Sequence, residues 1–279
     1  MVRFLVLVLK GIAYGLTHIV PGLGGGLILI LMGIYEQFVD AIGNFFVDRE
    51  RWKDHIAFLV PLGIGMVLGM IGLAKVITIV LERYPAATMF FFMGLLIGTI
   101  PPVLRMHDDM RPTIGRVAAL VCGVLVVVAM RIFQPAGEQT LDIASITGAL
   151  YNLVVCFAAG GASVTPGLDG SYVLLVGGTY EPILEAVSAL THLEIAWLPL
   201  ASTGIGAVLG ILGFSKLIDT ALKRAPSVSY YVILGLILGS VYGLWPQEPA
   251  HTSLIVRIAA VAAGAAIALL FGGEPKETA

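Results

Sequence analysis

Two short runs hold the residue types best suited to chemistry in a chain dominated by apolar side chains. Pro21-Gly22-Leu23-Gly24-Gly25-Gly26 and Pro166-Gly167-Leu168-Asp169-Gly170-Ser171 each set a proline and several small residues inside an apolar stretch. Proline cannot continue a helical hydrogen-bond ladder, and glycine admits backbone angles closed to other residues. Each run is therefore expected to break one helix and start another, leaving unpaired N–H groups at the start. That terminus, with the positive end of the helix dipole, suits phosphate or carboxylate. A tight surface turn fits either loop alone, but two loops in matched positions favour binding. The candidate substrate-binding residues are Gly22, Gly24, Gly25 and Gly26, and then Gly167, Asp169, Gly170 and Ser171. Asp169 opposes an anion unless it holds a cation or a proton. Ser163, Thr165 and Ser171 can donate hydroxyl hydrogens or simply bond back to their own helix.

A second set consists of isolated charges in apolar surroundings. Lys75 and Lys216 lie inside apolar runs, where a lysine is either paired and functional or reaches to the interface. Both are counted with the substrate-binding residues. Glu36 and Glu181 follow the apolar run after each loop, with Asp40 and Glu185 one helical turn further on. These carboxylates can carry a coupling proton or sodium ion, or cap a segment at headgroup level. Glu36, Glu181 and His18 are the candidate coupling residues, His18 because a histidine side chain can exchange a proton, although a lone one can equally be a plain hydrogen-bonding group. No catalytic residue, metal site or cofactor is expected.

The elements that must position these residues follow from composition. Hydrophobic residues make up 58% of the 279 and charged residues only 12%, with a mean hydropathy of +0.97. Too few polar side chains are present to cover a water-exposed surface, so lipid is the solvent for most of the chain. No basic patch suggests nucleic acid. Cys122 and Cys156 sit in apolar runs and read as small buried hydrophobes. About ten apolar stretches can be marked, roughly 4–20, 24–46, 56–81, 86–104, 114–133, 145–165, 168–191, 195–221, 227–245 and 252–271. The first reads as a retained membrane segment, since no small-residue cleavage pattern follows it. With the N-terminus on side one, that side holds Arg3, Arg49, Arg51, Lys53, Arg105, Arg111, Arg116, Lys223, Arg224 and Lys276. The other holds Arg83, Arg131 and Arg257. This bias puts both termini in the cytoplasm of a multi-pass protein of the cytoplasmic membrane. The loop arginines read as topology determinants, and Trp52, Trp197 and Trp245 as interfacial anchors.

The chain also repeats itself. Pro21 through Glu36 matches Pro166 through Glu181 at an offset of 145, which also pairs Asp40 with Glu185. Gly63 through Gly69 matches Gly204 through Gly210 at 141, and so do Lys75 with Lys216, Arg83 with Arg224, Pro85 with Pro226 and Gly94 with Gly235. The fold expected is all-α: one transmembrane transport domain over 1–279, with repeat one at 1–133 and repeat two at 145–271. Each repeat holds about five segments. An odd number of crossings inverts the second copy, and a re-entrant first pair leaves the number odd. Inverted repeats with broken helices near the midplane are a recurrent transporter plan.

The run from Pro21 to Leu27 and on to Gly33-Ile34-Tyr35-Glu36 resembles the pattern Pro-Gly-Val-Ser-Gly-Gly-Thr…Gly-Ile-Tyr-Glu. Pro166 to Ser171, with Tyr180-Glu181, resembles its partner Pro-Gly-Ile-Ser-Gly-Ser…Gly-Tyr-Glu. Both patterns belong to the PopT-type membrane family associated with polyprenyl-phosphate translocation, and the resemblance covers almost the whole chain. Gly24 and Asp169 stand where the family usually has serine, Leu27 replaces threonine, and His18 stands where aspartate is common. The resemblance implies flipping of undecaprenyl phosphate back to the inner leaflet, with the loops, Glu36 and Glu181 as motif residues. The partners expected are this lipid, a proton or sodium ion, and membrane lipids; a homo-oligomer is left open. Two rivals remain at this stage. One is a secondary transporter of a small anionic solute with a sealed polar cavity. The other is an intramembrane lipid-phosphate enzyme, for which no cluster of histidine, serine and arginine accompanies the loops.

Overall fold

The structure is a computed structural model that describes residues 2–18, 24–107, 109–133, 141–189, 196–245 and 253–271. The described residues are helical throughout, with no strand. Six helices fall in the first half: α1 (Val2–Thr17), α2 (Gly25–Leu31), α3 (Tyr35–Gly43), α4 (Trp52–Arg83), α5 (Pro85–Arg105) and α6 (Ile114–Ile132). Six follow, again one longer helix, two short ones and three longer ones: α7 (Ile146–Val164), α8 (Gly170–Val176), α9 (Tyr180–Ala189), α10 (Trp197–Arg224), α11 (Pro226–Gly243) and α12 (Leu254–Phe271). Six of these are long and apolar enough to cross a membrane: α4 over Trp52–Leu73, then α5, α6, α7, α10 and α11. The chain is thus a multi-pass membrane protein.

The stretches 24–46 and 168–191 are not continuous segments, because each is broken into two short helices. The break is a glycine in the left-handed region, Gly33 at φ 67° and Gly178 at φ 65°. The same cap closes both helices. Gly33 N donates to Ile30 O (2.9 Å) and Ile34 N to Leu29 O (3.0 Å); Gly178 N donates to Leu175 O (3.1 Å) and Thr179 N to Leu174 O (3.0 Å). Only a residue without Cβ adopts this turn cheaply, and its crossed bonds satisfy the last carbonyls. Prolines set another pair of boundaries. Pro85 and Pro226 open α5 and α11 at the first helical turn. The residues before them, Tyr84 and Ala225, leave the α region at ψ 54° and 62°.

Four close helix pairs build the body: α1 with α4, α7 with α10, α5 with α12, and α6 with α11. Glycine lets the backbones touch. A Cβ at Gly65 would lie 2.1 Å from Val8 O, and one at Gly69 2.3 Å from Ile12 O. In the second half, Gly206 meets Leu153 O at 2.5 Å and Gly210 meets Phe157 O at 2.0 Å. Across the halves, Gly94 on α5 meets Val261 O at 2.1 Å, and Gly235 on α11 meets Leu120 O at 2.0 Å. Small residues at crossings are how helices associate where lipid removes the hydrophobic drive between them. The contacts advance in the same direction along both partners, so α1 runs parallel to α4 and α7 parallel to α10. The chain between them, α2–α3 or α8–α9, therefore runs back toward the side where the first helix began.

The core lies around α2, α3, α5 and α11, with Leu27, Tyr35, Phe58, Leu96, Tyr230 and Ile237 almost wholly enclosed. The outer helices turn apolar side chains to lipid; only Gly123 is buried on α6. Cys156 is buried as expected, but Cys122 is exposed on α6. A thiol there needs no protein neighbours when lipid surrounds it.

Candidate functional site

The glycine end of the first loop meets the second loop. Gly24, at φ 57°, would drive a Cβ to 2.5 Å from Leu168 O, and one on Gly26 would lie 2.8 Å from Pro166 N. Gly25 packs against the Tyr14 and His18 rings. Gly24, Gly25 and Gly26 are all buried, so this end of the first loop is a packed support for the second. Pro21 and Gly22 lie outside the described residues. His18 is exposed at the end of α1, edge-on to Tyr14 at 4.8 Å between ring centres.

The second loop has a different local chemistry. Asp169 is the N-cap of α8: its carboxylate accepts from Ser171 N (3.1 Å) and from the Ser171 hydroxyl (2.7 Å). The start of α8 thus carries its own anion, which explains an acid inside a glycine-rich loop. Gly170 packs under Ser163, where a Cβ would lie 2.2 Å from the hydroxyl oxygen. Ser240 on α11 holds the loop from the other side, its Oγ bonded to Gly167 O and lying 2.8 Å from Leu236 O.

Beside this loop is a cavity of about 60 Å³. It is lined by Val127, Met130 and Arg131 of α6, Gly167, Leu168, Asp169 and Tyr172 of the loop and α8, and Ser240 and Gly243 of α11. Arg131 is its only cation. The guanidinium donates to Gly243 O and to Trp245 O (3.4 Å) and lies 5.9 Å from the Tyr242 ring centre. These contacts fix a side chain with five N–H groups, more than two carbonyls use. Such a planar fork suits phosphate, and the other walls are mostly apolar. The sequence places Arg131 only among the three basic residues of the non-cytoplasmic side; nothing in its neighbours foretold that α6 would pack along α11 and bring it to the loop.

A second polar cluster joins α3 to α10. Asn44 donates to Asp40 Oδ1 (2.8 Å) and to Asp219 Oδ2 (3.0 Å), and Lys216 donates to Asn44 Oδ1. Lys223 bridges Asp40 and Asp219, at 2.7 Å from each. Arg51 reaches Asp40 at 2.9 Å. Asp219 and Asn44 are buried, so the network is shielded from solvent on its α10 side. Of the predicted charges, Lys216 belongs to it, while Lys75 is exposed on α4 beyond the apolar span. Glu36 accepts from the Tyr230 hydroxyl. Glu181, its match in the repeat, is exposed. The structure therefore gathers Gly167 and Asp169 at the cavity and Lys216 at the network, and keeps Glu36, Glu181 and His18 apart.

Residues 14–262 match the model of a family described as VCA0040-like, undecaprenyl phosphate translocase-like. A polyprenyl-phosphate transporter of Staphylococcus aureus (strain NCTC 8325 / PS 47) is 30% identical over 260 residues, 90% of this chain and 91% of the relative. One of Vibrio cholerae serotype O1 (strain ATCC 39315 / El Tor Inaba N16961) is 30% identical over 252 residues, 86% of this chain and 77% of the relative. No solved structure matches the chain. The loops, their order and the near full-length matches agree: this chain belongs to the VCA0040-like, undecaprenyl phosphate translocase-like family.

Proposed function

We propose that this protein is a transporter, not an enzyme, and flips a polyprenyl phosphate such as undecaprenyl phosphate to the inner leaflet of the cytoplasmic membrane. The observation that carries the reading is the Arg131 cavity. One fixed guanidinium stands beside a Pro-Gly loop, in mostly apolar walls, on a helix whose other faces meet lipid. That combination fits a phosphate attached to a hydrocarbon chain better than a free hydrophilic anion. The two relatives are named for the same cargo. Gly167 and Asp169 line the cavity, Ser171 holds the Asp169 cap beside it, Gly170 packs under Ser163, and Gly24, Gly25 and Gly26 support the loop from behind.

The architecture we infer is two inverted repeats, 1–133 and 145–271, whose first helix and following short pair re-enter the membrane. Support comes from the parallel packing of α1 on α4 and of α7 on α10. The glycine contacts and helix caps also recur at offsets of 145 and 141. Re-entry leaves three crossings per half, an odd number. The arginine and lysine bias places both termini, and the α3–α10 network, on the cytoplasmic side. Arg131 then lies toward the outer leaflet, where spent carrier accumulates. Glu36, Glu181 and His18 serve as exchange groups for a coupling proton or sodium ion.

Liposomes carrying labelled polyprenyl phosphate test the reading. The reconstituted protein is expected to speed leaflet exchange above that of empty vesicles and to leave uptake of free phosphate unchanged. Phosphate uptake without lipid exchange would move the assignment to a small-solute transporter. No exchange at any pH or sodium gradient would sink it.

A further inference from the structure

The two short-helix pairs are unequally docked. The first reaches across the molecule: α2 packs on α5 and α7, and α3 lies along α10. The second stays in its own half, α8 on α7 and α9 on α10, with no comparable packing of α9 on α4 among the described residues. The network of Asp40, Asn44, Lys216, Asp219 and Lys223 holds the first docking. Under the repeat pairing, Asp40 corresponds to Glu185 and Lys216 to Lys75. Both counterparts are exposed charges in an apolar chain.

We propose that Lys75 and Glu185 form an ion pair in a second conformation, where α9 docks on α4 as α3 docks on α10 here. The pair is the outer counterpart of the α3–α10 network, and the two closures exclude each other. The inference rests on the repeat pairing in the preceding section, not on the cargo. It gives a role to two opposite charges, Lys75 and Glu185, that both stand exposed in this conformation. It also sets the closeness of the second docking. Gly43 lets α3 approach until a Cβ would lie 2.6 Å from Lys216 N. Ser188 stands at the matched place on α9, so α9 docks slightly farther out, a gap that the long side chains of Lys75 and Glu185 span.

Cysteine pairs test this in a Cys122→Ser, Cys156→Ala background, in membranes, with a short thiol crosslinker and mass mapping of the links. Lys75→Cys with Glu185→Cys should crosslink, and so should Asn44→Cys with Lys216→Cys. In the four-cysteine protein, molecules with the second link should carry the first at least roughly tenfold less often than unlocked ones. Equal yields, or no link between positions 75 and 185 while 44 and 216 join, would overturn the proposal. Charge reversal gives an independent reading: the double variant K75E/E185K should crosslink at matched flanking positions as well as the parent, and each single variant less well. A double variant no better than the singles also overturns it. Link formation is read without any lipid, so failure of the cargo assignment and failure of this pairing remain distinguishable.

Discussion

The α2–α3 pair and the α8–α9 pair have the same lengths in outline, the same left-handed glycine and the same crossed cap, yet they occupy different environments. Leu27, Leu29, Ile30 and Leu31 are buried on α2, whereas Gly170 alone is buried on α8. Tyr35 is fully enclosed and donates to Val164 O at 3.2 Å; Tyr180 is 37% exposed. Local sequence therefore sets the shape of each pair, and the surrounding helices set whether it is docked. The chemistry differs as well. Gly24, Leu27 and Thr99 stand where the second half has Asp169, Tyr172 and Ser240, three of the groups around Arg131. Under the proposed function the two halves share a local scaffold and divide the work, with headgroup chemistry at one loop and docking at the other.

The largest test of that division is at Arg131. Arg131→Ala is expected to slow lipid exchange in liposomes roughly 10–100-fold, the scale of a lost charge-assisted hydrogen-bond pair. Arg131→Lys keeps the charge without the fork and should fall between. Since Arg131 also ties down Gly243 O and Trp245 O, thermal unfolding must be followed in parallel. Normal exchange in a folded Arg131→Ala protein would place the headgroup elsewhere.

Next in size is the α3–α10 network. Asp219→Ala leaves Asn44 and Lys223 short of an acceptor in a buried setting, at a cost of about 2 kcal/mol after discounting for the exposed end of Lys223. It should lower Tm and raise thiol labelling along α3. Glu185→Ala, in the undocked pair, should leave Tm unchanged in this conformation. Equal effects would mean that the two pairs are docked alike.

A smaller contrast sits in the tyrosines. Tyr35→Phe removes a hydroxyl from a buried carbonyl and should cost about 1 kcal/mol in unfolding measurements. Tyr180→Phe should be neutral.

Much of this was legible in the sequence, and what was not has definite physical causes. The apolar runs and low charge gave the helical membrane class, and the offset of 141 matched Gly65 with Gly206 and Gly69 with Gly210, which make equivalent close contacts with α1 and α7. The prolines at 85 and 226 marked real helix starts. The breaks at Gly33 and Gly178 were missed because Ile34 and Thr179 let the apolar pattern run on; only the dihedral ends the helix. Asp219 and Asn44 stand 175 positions apart, and neither has a local signal of pairing. The unequal docking was invisible in principle, because matched loops predict matched surroundings. Arg131 was visible as a charge, but its partner depended on α6 crossing to the other half.

The smallest contrast concerns Arg116 and Arg257, matched at offset 141. Arg116 grips Asp109 through two bonds, Nη1 to Oδ1 at 3.2 Å and Nη2 to Oδ2 at 2.5 Å. Arg257 lies over the Phe90 ring at 5.8 Å. The Arg116 hydrogen bonds hold the Asp109 carboxyl below its ordinary range, against the opposing effect of desolvation. A carboxylate with a lowered folded pKa adds stability that is present above its unfolded pKa and lost as pH falls through the folded value. Acid should therefore loosen the loop between α5 and α6, anchored here by Ser227 on Asp109 O (2.7 Å) and Tyr231 on Met110 O (3.0 Å). The loss should begin at the ordinary carboxylate pKa and finish below the lowered one. Asp109 is an exposed partner in a solvated pair, so screening keeps the effect small and salt should shrink it further. Hydrogen exchange of residues 109–116 against pH, in the parent and in Asp109→Asn, isolates the pair: the parent should show an acid-dependent rise that the variant lacks. The same rise in both would assign the titration to another group, and the contrast between the two arginines would then have no electrostatic consequence.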